Sequence, residues 1–104
     1  MVLYVAKWNI RPEKLGAYAN WGKSTIQRLL AVPGVVEVRG YRAATGAHYV
    51  VVTYEFADMA AWAAWSSNED VQKMRDELDA YATDVTYELW GPSPVIPKPI
   101  KPGK

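Results

Sequence analysis

Hydrophobic side chains in the first half of the chain alternate in some stretches and recur every three or four positions in others. Residues 2–10 are β-branched and aromatic and alternate in a way that predicts a strand. After Pro12, a residue suited to a first helical turn, helical spacing continues until Pro33-Gly34 ends the helix. The predicted inward face of that helix comprises Leu15, Tyr18, Gly22, Ile26 and Leu29.

A hairpin is predicted next. Residues 35–44 and 48–56 have strand-like patterns, and Thr45-Gly46 between them is a turn signal. Residues 85–90 form the last predicted strand, and Gly91-Pro92 closes the domain.

The segment between these strands predicts a helix in two parts. Asp58 is a suitable N-cap, and Ser67-Asn68 is expected to interrupt the helix before Glu69 resumes it. Trp65 is expected on the flank, about 60° round the helix from Trp62. The predicted inward residues are Met59, Trp62, Ala63 and Ser66 in the first part, and Val71, Met74, Leu78 and Tyr81 in the second.

The resulting order, β-α-β-β-α-β, predicts an α+β subunit of the ferredoxin-like type, with both helical regions on one face of an antiparallel sheet. The other face is left uncovered, so we expect a homodimer in which two sheets pack face to face. The predicted domain is 1–91. Residues 92–104 form a tail with five prolines, which is expected to be extended and either free or lying along its own domain or a partner subunit.

Charge and cysteine content exclude several classes of protein. The net charge is +1, and without Lys98, Lys101 and Lys104 the chain has nine basic and eleven acidic residues, which argues against nucleic acid as a partner. No cysteine is present, so disulfides and thiolate metal sites are excluded, as suits a cytoplasmic protein. No apolar run approaches a membrane span, and the start does not resemble a signal peptide.

The aromatic composition indicates an interface or a cavity that is partly open to water. Five Trp and seven Tyr stand against one Phe, and indoles and phenols combine a large apolar body with a polar group. The stretch "AAWAAWSSN" places two of these indoles, Trp62 and Trp65, three residues apart.

The element order, a strand ending "VTYEF" and the following "ADMAAWAAWSSNEDVQKM" resemble the dimeric α+β barrel superfamily. Within it the chain is most similar to antibiotic-biosynthesis-monooxygenase-like proteins, over roughly residues 2–90. The resemblance implies a homodimer with a cavity between sheet and helices. It also implies one of several activities, including cofactor-free oxygenation of polycyclic phenols, haem degradation and polyketide cyclisation.

The same resemblance suggests site residues. Haem-degrading members use an Asn on the first strand, a Trp on the short helix and a His on the next helix. Asn9 and Trp65 match the first two, but the third position falls near Arg75 or Asp76, which speaks against haem. The resemblance thus implies Asn9 and Trp65 as catalytic positioning groups and Tyr18 and Trp62 as substrate-binding walls, with no cofactor and no metal.

Several alternatives stay open on the sequence alone. Asn9 is equally a turn-forming residue, and Trp65 an indole at the edge of the core. The leading hypothesis is a cofactor-independent monooxygenase acting on a flat, hydrophobic or aromatic molecule. Its rivals are a non-catalytic ligand-binding or stress-response dimer, a structural protein whose tail docks elsewhere, and a polyketide-cyclase-like enzyme. The last needs a proton acceptor, for which His48, Glu55 and Tyr54 are candidates.

Overall fold

The computed structural model describes residues 1–103, which form a four-stranded antiparallel sheet with all helices on one face. The strands lie in the order β2-β3-β1-β4, so the first strand is central. The ferredoxin-like fold predicted from the pattern is confirmed. The strands are β1 (Val2–Ile10), β2 (Val35–Arg42), β3 (Val50–Phe56) and β4 (Ala82–Trp90), and the helices are α1 (Leu15–Ala31), α2 (Met59–Ser66) and α3 (Glu69–Leu78).

Alternation along β1 separates the core from the outer face of the sheet, as predicted. Val2, Tyr4, Ala6 and Trp8 are all buried beneath the helices. Leu3 and Lys7, on the outer face, are half-buried, and only Val5 between them is fully enclosed by its neighbours.

The β2–β3 hairpin is shorter than the sequence predicts. The ladder ends at the pair Arg42 and Val50, whereas strands were predicted to reach residues 44 and 48. The Asn9 side chain explains the difference because its Oδ1 accepts the Tyr49 N–H at 2.8 Å. That N–H is therefore bonded to β1 and does not extend the β2–β3 ladder into residues 43–49.

The last strand begins three residues earlier than predicted, at Ala82 instead of residue 85. Ala82 pairs with Ile10, and the register shifts between Lys7 and Asn9. Asp84 has a φ of 57°, in the left-handed region that Asp tolerates better than most residues. This irregularity interrupts the alternation in the sequence, although β1 and β4 pair on both sides of it.

The helix boundaries follow local signals. A single 3-10 turn, Pro12–Lys14, precedes α1. Beyond α1, Gly34 reverses the chain with a φ of 119°, which favours glycine. Asp58 caps α2 by accepting the Ala61 N–H at 2.8 Å, and the predicted break at Ser67-Asn68 separates α2 from α3.

The predicted inward face of α2 is wrong. Met59, expected inside, is 53% exposed, whereas Trp65, expected on the flank, is 2% exposed. Alanines occupy four of the eight positions in this helix and give no periodic signal of their own. Packing decides the orientation instead, because the Trp65 ring lies 5.2 Å from the Phe56 ring.

Residues 91–103 are exposed and form neither helix nor strand. Val95 is 85% exposed, so this apolar side chain does not pack on its own domain. Lys104, the last residue of the predicted tail, lies outside the described residues. Within residues 1–103, no helix has the length and apolar character needed to cross a membrane.

Candidate functional site

A cavity of about 190 Å³ lies between the helix-facing side of the sheet and the helices. Aromatic and aliphatic side chains make up most of its surface. The strands contribute Tyr4, Ala6, Trp8, Val52, Tyr54 and Tyr87, α1 contributes Tyr18, Trp21, Gly22, Thr25, Ile26 and Leu29, and the other helices contribute Trp65, Val71, Met74, Arg75 and Leu78.

The structure places two of the four predicted site residues, Tyr18 and Trp65, in this lining. The Tyr18 hydroxyl oxygen accepts a hydrogen bond of 3.3 Å from Trp8 Nε1. Burial raises the pKa of Tyr18, and the Trp8 hydrogen bond opposes that rise. Tyr18 therefore contributes a neutral, amphipathic wall.

Trp65 is the more deeply buried of the two α2 indoles. Its ring contacts those of Tyr4 and Tyr54, at centroid distances of 5.9 and 5.2 Å. The indole Nε1–H finds no acceptor within the part of the chain that the structure describes. A buried donor without a partner is destabilising. The Trp62 Nε1–H is unpaired in the same way, so it is the position of Trp65 in the lining that distinguishes this indole.

Trp62 does not line the cavity. It is half-buried, and its ring lies 5.9 Å from that of Tyr4. Trp62 therefore packs against Tyr4 without lining the cavity.

Asn9 is also outside the lining. Its Nδ2 donates to the Ala47 carbonyl at 3.1 Å and to Asp84 Oδ2 at 3.3 Å, while Oδ1 accepts from Tyr49. These bonds tie β1 to the 43–49 loop and to the irregular start of β4. The catalytic role suggested for Asn9 stays a prediction, and the geometry shows a side chain already used for structure.

Three further tyrosines lie on the sheet side of the cavity. Burial is the main cause that raises the pKa of Tyr87 to about 12, with smaller contributions from neighbouring groups. Burial likewise raises the pKa of Tyr4 and, strongly, of Tyr54. These phenols stay protonated near neutral pH, so they can donate hydrogen bonds to a ligand but cannot act as bases.

Arg75 is the charged residue in the lining. Its Nη2 donates to Ser66 Oγ at 2.6 Å and to the Ser66 carbonyl at 3.3 Å. The guanidinium carbon lies 5.7 Å from the Tyr4 ring centroid and 5.8 Å from that of Tyr87. Arg75 is thus held over two aromatic faces by α2 and the sheet.

A clamp between α1 and α3 closes the helical side of the cavity. Glu77 accepts two hydrogen bonds from Arg28, at 2.7 and 2.9 Å, and one from Trp21 Nε1 at 2.8 Å. The Arg28 and Trp21 hydrogen bonds lower the pKa of Glu77 to about 2. Trp21, which lines the cavity, also stacks on Tyr81 at 5.1 Å.

Sequence reasoning did not assign Arg75, Thr25 or Trp8 to the site. The sequence contains a periodic signal for two of these residues, Arg75 and Thr25. Arg75 follows Val71 by four positions and so shares the apolar stripe of α3, and Thr25 follows Tyr18 by seven. A polar residue inside a buried stripe is more informative than another apolar one.

The cavity does not fit haem. The resemblance places the His of haem-degrading proteins near Arg75 or Asp76, and neither side chain offers an imidazole to iron. No His lies in the lining of the cavity among the described residues.

The fold and the cavity together define a ferredoxin-like α+β subunit with an apolar space between sheet and helices. A family model described as "Antibiotic biosynthesis monooxygenase" matches residues 1–77, and the chain belongs to this family. A comparison with curated proteins finds no match.

Solved structures share the fold at low sequence identity. Rv0793 from Mycobacterium tuberculosis has a TM-score of 0.71 and 18% identity, over 88% of this chain and 94% of the other. A protein with a ferredoxin-like fold from Mesorhizobium loti has a TM-score of 0.75 and 16% identity, over 88% and 96%. SnoaB, a cofactor-independent oxygenase from Streptomyces nogalater, has a TM-score of 0.70 and 16% identity, over 93% and 97%.

Proposed function

We propose that this protein binds a flat aromatic molecule in the cavity and oxygenates it without a cofactor. The observation that carries the proposal is an apolar space of about 190 Å³ whose surface includes indole and phenol rings. A cavity of about 150 Å³ lined by apolar side chains is large enough to hold benzene. The expected ligand therefore has one or two rings, fewer than the polycyclic phenols that the family resemblance implies.

The proposed chemistry is the insertion of one oxygen atom at an activated ring CH₂ group. That group and O₂ give a ring C=O group and water, so one O₂ is consumed per product. The substrate must first lose a proton. That proton passes to water, because no carboxylate or imidazole among the described residues lines the cavity, and the resulting anion then supplies the electrons to O₂. Within the cavity, the N–H of Trp65 and the protonated tyrosines are donors that favour an anionic substrate oxygen.

In this proposal, Trp65 is the polar group that positions the substrate, and Tyr18 forms part of the cavity wall. The roles suggested for Asn9 and Trp62 have less support, because neither side chain lines the cavity.

A homodimer formed through the outer face of the sheet completes the proposal. That face carries a depression of about 440 Å³ lined by apolar and charged side chains, including Val5, Val51 and Trp90. Half-buried strand residues without a covering layer are typical of an interaction surface.

Light scattering at micromolar concentration tests the dimer. Val51→Lys places a charge on the outer face and is expected to give monomers. Leu30→Lys, a matched change at an exposed position on α1, is expected to leave the dimer intact. A wild-type monomer would exclude this part of the proposal.

Ligand-dependent oxygen consumption tests the activity, with one- and two-ring anthrone-like ketones that carry an activated ring CH₂ group as substrates. Trp65→Phe removes the N–H and is expected to lower kcat/KM about tenfold or more, as loss of a donor to developing charge does. Trp62→Phe is the matched control and is expected to retain wild-type turnover. Equal effects of the two changes would contradict the proposed role of Trp65.

Binding without chemistry is the second candidate function. It is favoured by the lining, which contains no carboxylate or imidazole among the described residues. The same observation disfavours the cyclase alternative, since of its three candidate acceptors only Tyr54 reaches the cavity. Tight ligand binding without oxygen uptake or product would select the binding function.

A further inference from the structure

Arg75 brings a positive charge to an otherwise apolar cavity. Across residues 1–103, no carboxylate oxygen lies within 4.0 Å of its guanidinium nitrogens. The charged residues that do form ion pairs, such as Arg28 with Glu77, lie elsewhere. Arg75 is half-buried, and even partial removal of a cation from water is unfavourable without an anion to pair with it.

The contacts of Arg75 leave part of its hydrogen-bonding capacity unused. A guanidinium has five N–H donors. Nη2 donates to Ser66, whereas the buried Nε has no acceptor within the described chain. The Tyr4 and Tyr87 rings beneath it offer π faces, which attract the cation without accepting a conventional hydrogen bond.

Other polar groups of the lining are also without partners. The Thr25 hydroxyl and the Trp65 indole N–H are both buried and find no hydrogen-bond partner in residues 1–103. Both residues are more than nine-tenths buried and line the same cavity as Arg75. The protein itself therefore does not satisfy all the polar groups around Arg75.

We infer that Arg75 makes the cavity selective for an aromatic molecule of one or two rings carrying an ionised oxygen, a carboxylate or a phenolate. The inference rests on the proposed ligand binding and specifies the class of ligand. Arginine suits this task because its planar N–H groups match the geometry of an anionic oxygen pair. Its charge already acts on the cavity phenols, where it opposes the rise in the pKa of Tyr4 and Tyr87.

Two bicyclic probes of similar shape test the inference by calorimetry at pH 7: 2-naphthoate, which is an anion, and 2-acetylnaphthalene, which is neutral. The wild-type protein is expected to bind the anion about tenfold more tightly or better, as a charge-assisted hydrogen bond would provide. Arg75→Gln is expected to abolish this preference while changing affinity for the neutral probe by less than about twofold.

Matched variants separate recognition from general effects of charge. Lys73→Gln removes a positive charge from the exposed side of the same helix and is expected to retain the preference. Arg75→Lys is expected to keep part of it, because an ammonium retains the charge but not the planar arrangement of donors. Circular dichroism establishes that each variant is folded. If Arg75→Gln does not fold, two measurements still test the inference. The wild-type protein must prefer the anionic probe, and Arg75→Lys must weaken that preference.

A third probe, 2-naphthol, distinguishes phenolate from carboxylate recognition. If the site takes phenolates, the absorption spectrum of the naphtholate appears at lower pH for the bound than for the free molecule. Carboxylate recognition alone gives 2-naphthoate binding without that spectral change.

The outcomes distinguish the two proposals. Equal wild-type affinities for the anion and the neutral probe, or a preference that survives Arg75→Gln, would overturn the inference and leave aromatic binding in place. Failure of all three probes to bind would overturn the proposed function and the inference together.

Discussion

The two faces of the four-stranded sheet bury their side chains in different ways. The helix-covered face is closed by rings such as Tyr54 and Phe56 and still leaves a cavity with unpaired polar groups. The outer face pairs its charges locally, as in the 3.1 Å contact between Lys7 and Glu88. Unpaired groups around a concave apolar space suit a small ligand, whereas locally paired charges suit water or a broad surface contact.

Loss of packing on the helix-covered face is expected to have the largest effect. Phe56 is fully buried and packs against Trp65, so Phe56→Ala is expected to lower the free energy of unfolding by about 3–5 kcal/mol. Urea denaturation measures the change. Met59→Ala is the control, because Met59 is exposed, and it is expected to cost less than about 0.5 kcal/mol. A large loss at Met59 would restore the orientation of α2 predicted from the sequence.

The same kind of change on the outer face is expected to have a smaller effect. Val5 is fully buried although it faces away from the helices, and Val5→Ala removes about two methyl groups. We expect a loss of about 1–2 kcal/mol, because only two methyl groups lose their burial. Denaturation at two protein concentrations measures it. A loss as large as that of Phe56→Ala would mean that the two faces are equally enclosed.

Glu77 tests the clamp that holds α1 and α3 over the cavity. Glu77→Gln is expected to cost about 1–2 kcal/mol at pH 7, since the carboxylate is about one-third exposed and partly screened. Because folding lowers the pKa of Glu77 from 4.5 to about 2, the carboxylate stabilises the fold fully above about pH 5. That contribution is lost as pH falls toward 2.

Thermal unfolding from pH 7 to 2 measures this dependence. The difference between wild-type and Glu77→Gln proteins is expected to shrink as the pH falls. Gln72→Ala serves as an exposed, uncharged control on the same helix. A difference that stays constant with pH would assign the loss to packing instead of to charge.

The sequence predicted the fold well because the alternation along a strand and the residues that end a helix are local features of the chain. The burial of Tyr4 and Trp8 and the break before Glu69 follow from a few neighbouring residues. The strand ends were less predictable, since Asn9 binds the Tyr49 N–H across forty positions. No local pattern contains such a contact.

The candidate site was predicted in part. Tyr18 follows from helical periodicity, and Trp65 from a family resemblance. The orientation of α2 depends on Phe56 and could not be obtained from a run of alanines. The sequence marks Arg75 in two ways, by the absence of a histidine there and by its place in the apolar stripe of α3, which indicates a half-buried charge.

Asn9 gives the smallest expected effect and separates a structural from a catalytic role. Asn9→Ala removes its bonds to Ala47, Tyr49 and Asp84 and is expected to cost about 1 kcal/mol, since these bonds are exposed to water. Hydrogen exchange at the Tyr49 amide is expected to accelerate. Because the side chain does not line the cavity, ligand affinity is expected to change by less than about twofold.

A matched control is Asn20→Ala, on the exposed side of α1, which is expected to alter neither quantity. The informative result is the combination of the two measurements. Faster exchange with unchanged affinity and turnover means that Asn9 acts on the loop alone. A tenfold loss of turnover with the Tyr49 amide still protected would instead place the Asn9 amide at the reacting molecule, and the cavity between sheet and helices would then no longer account for the whole site.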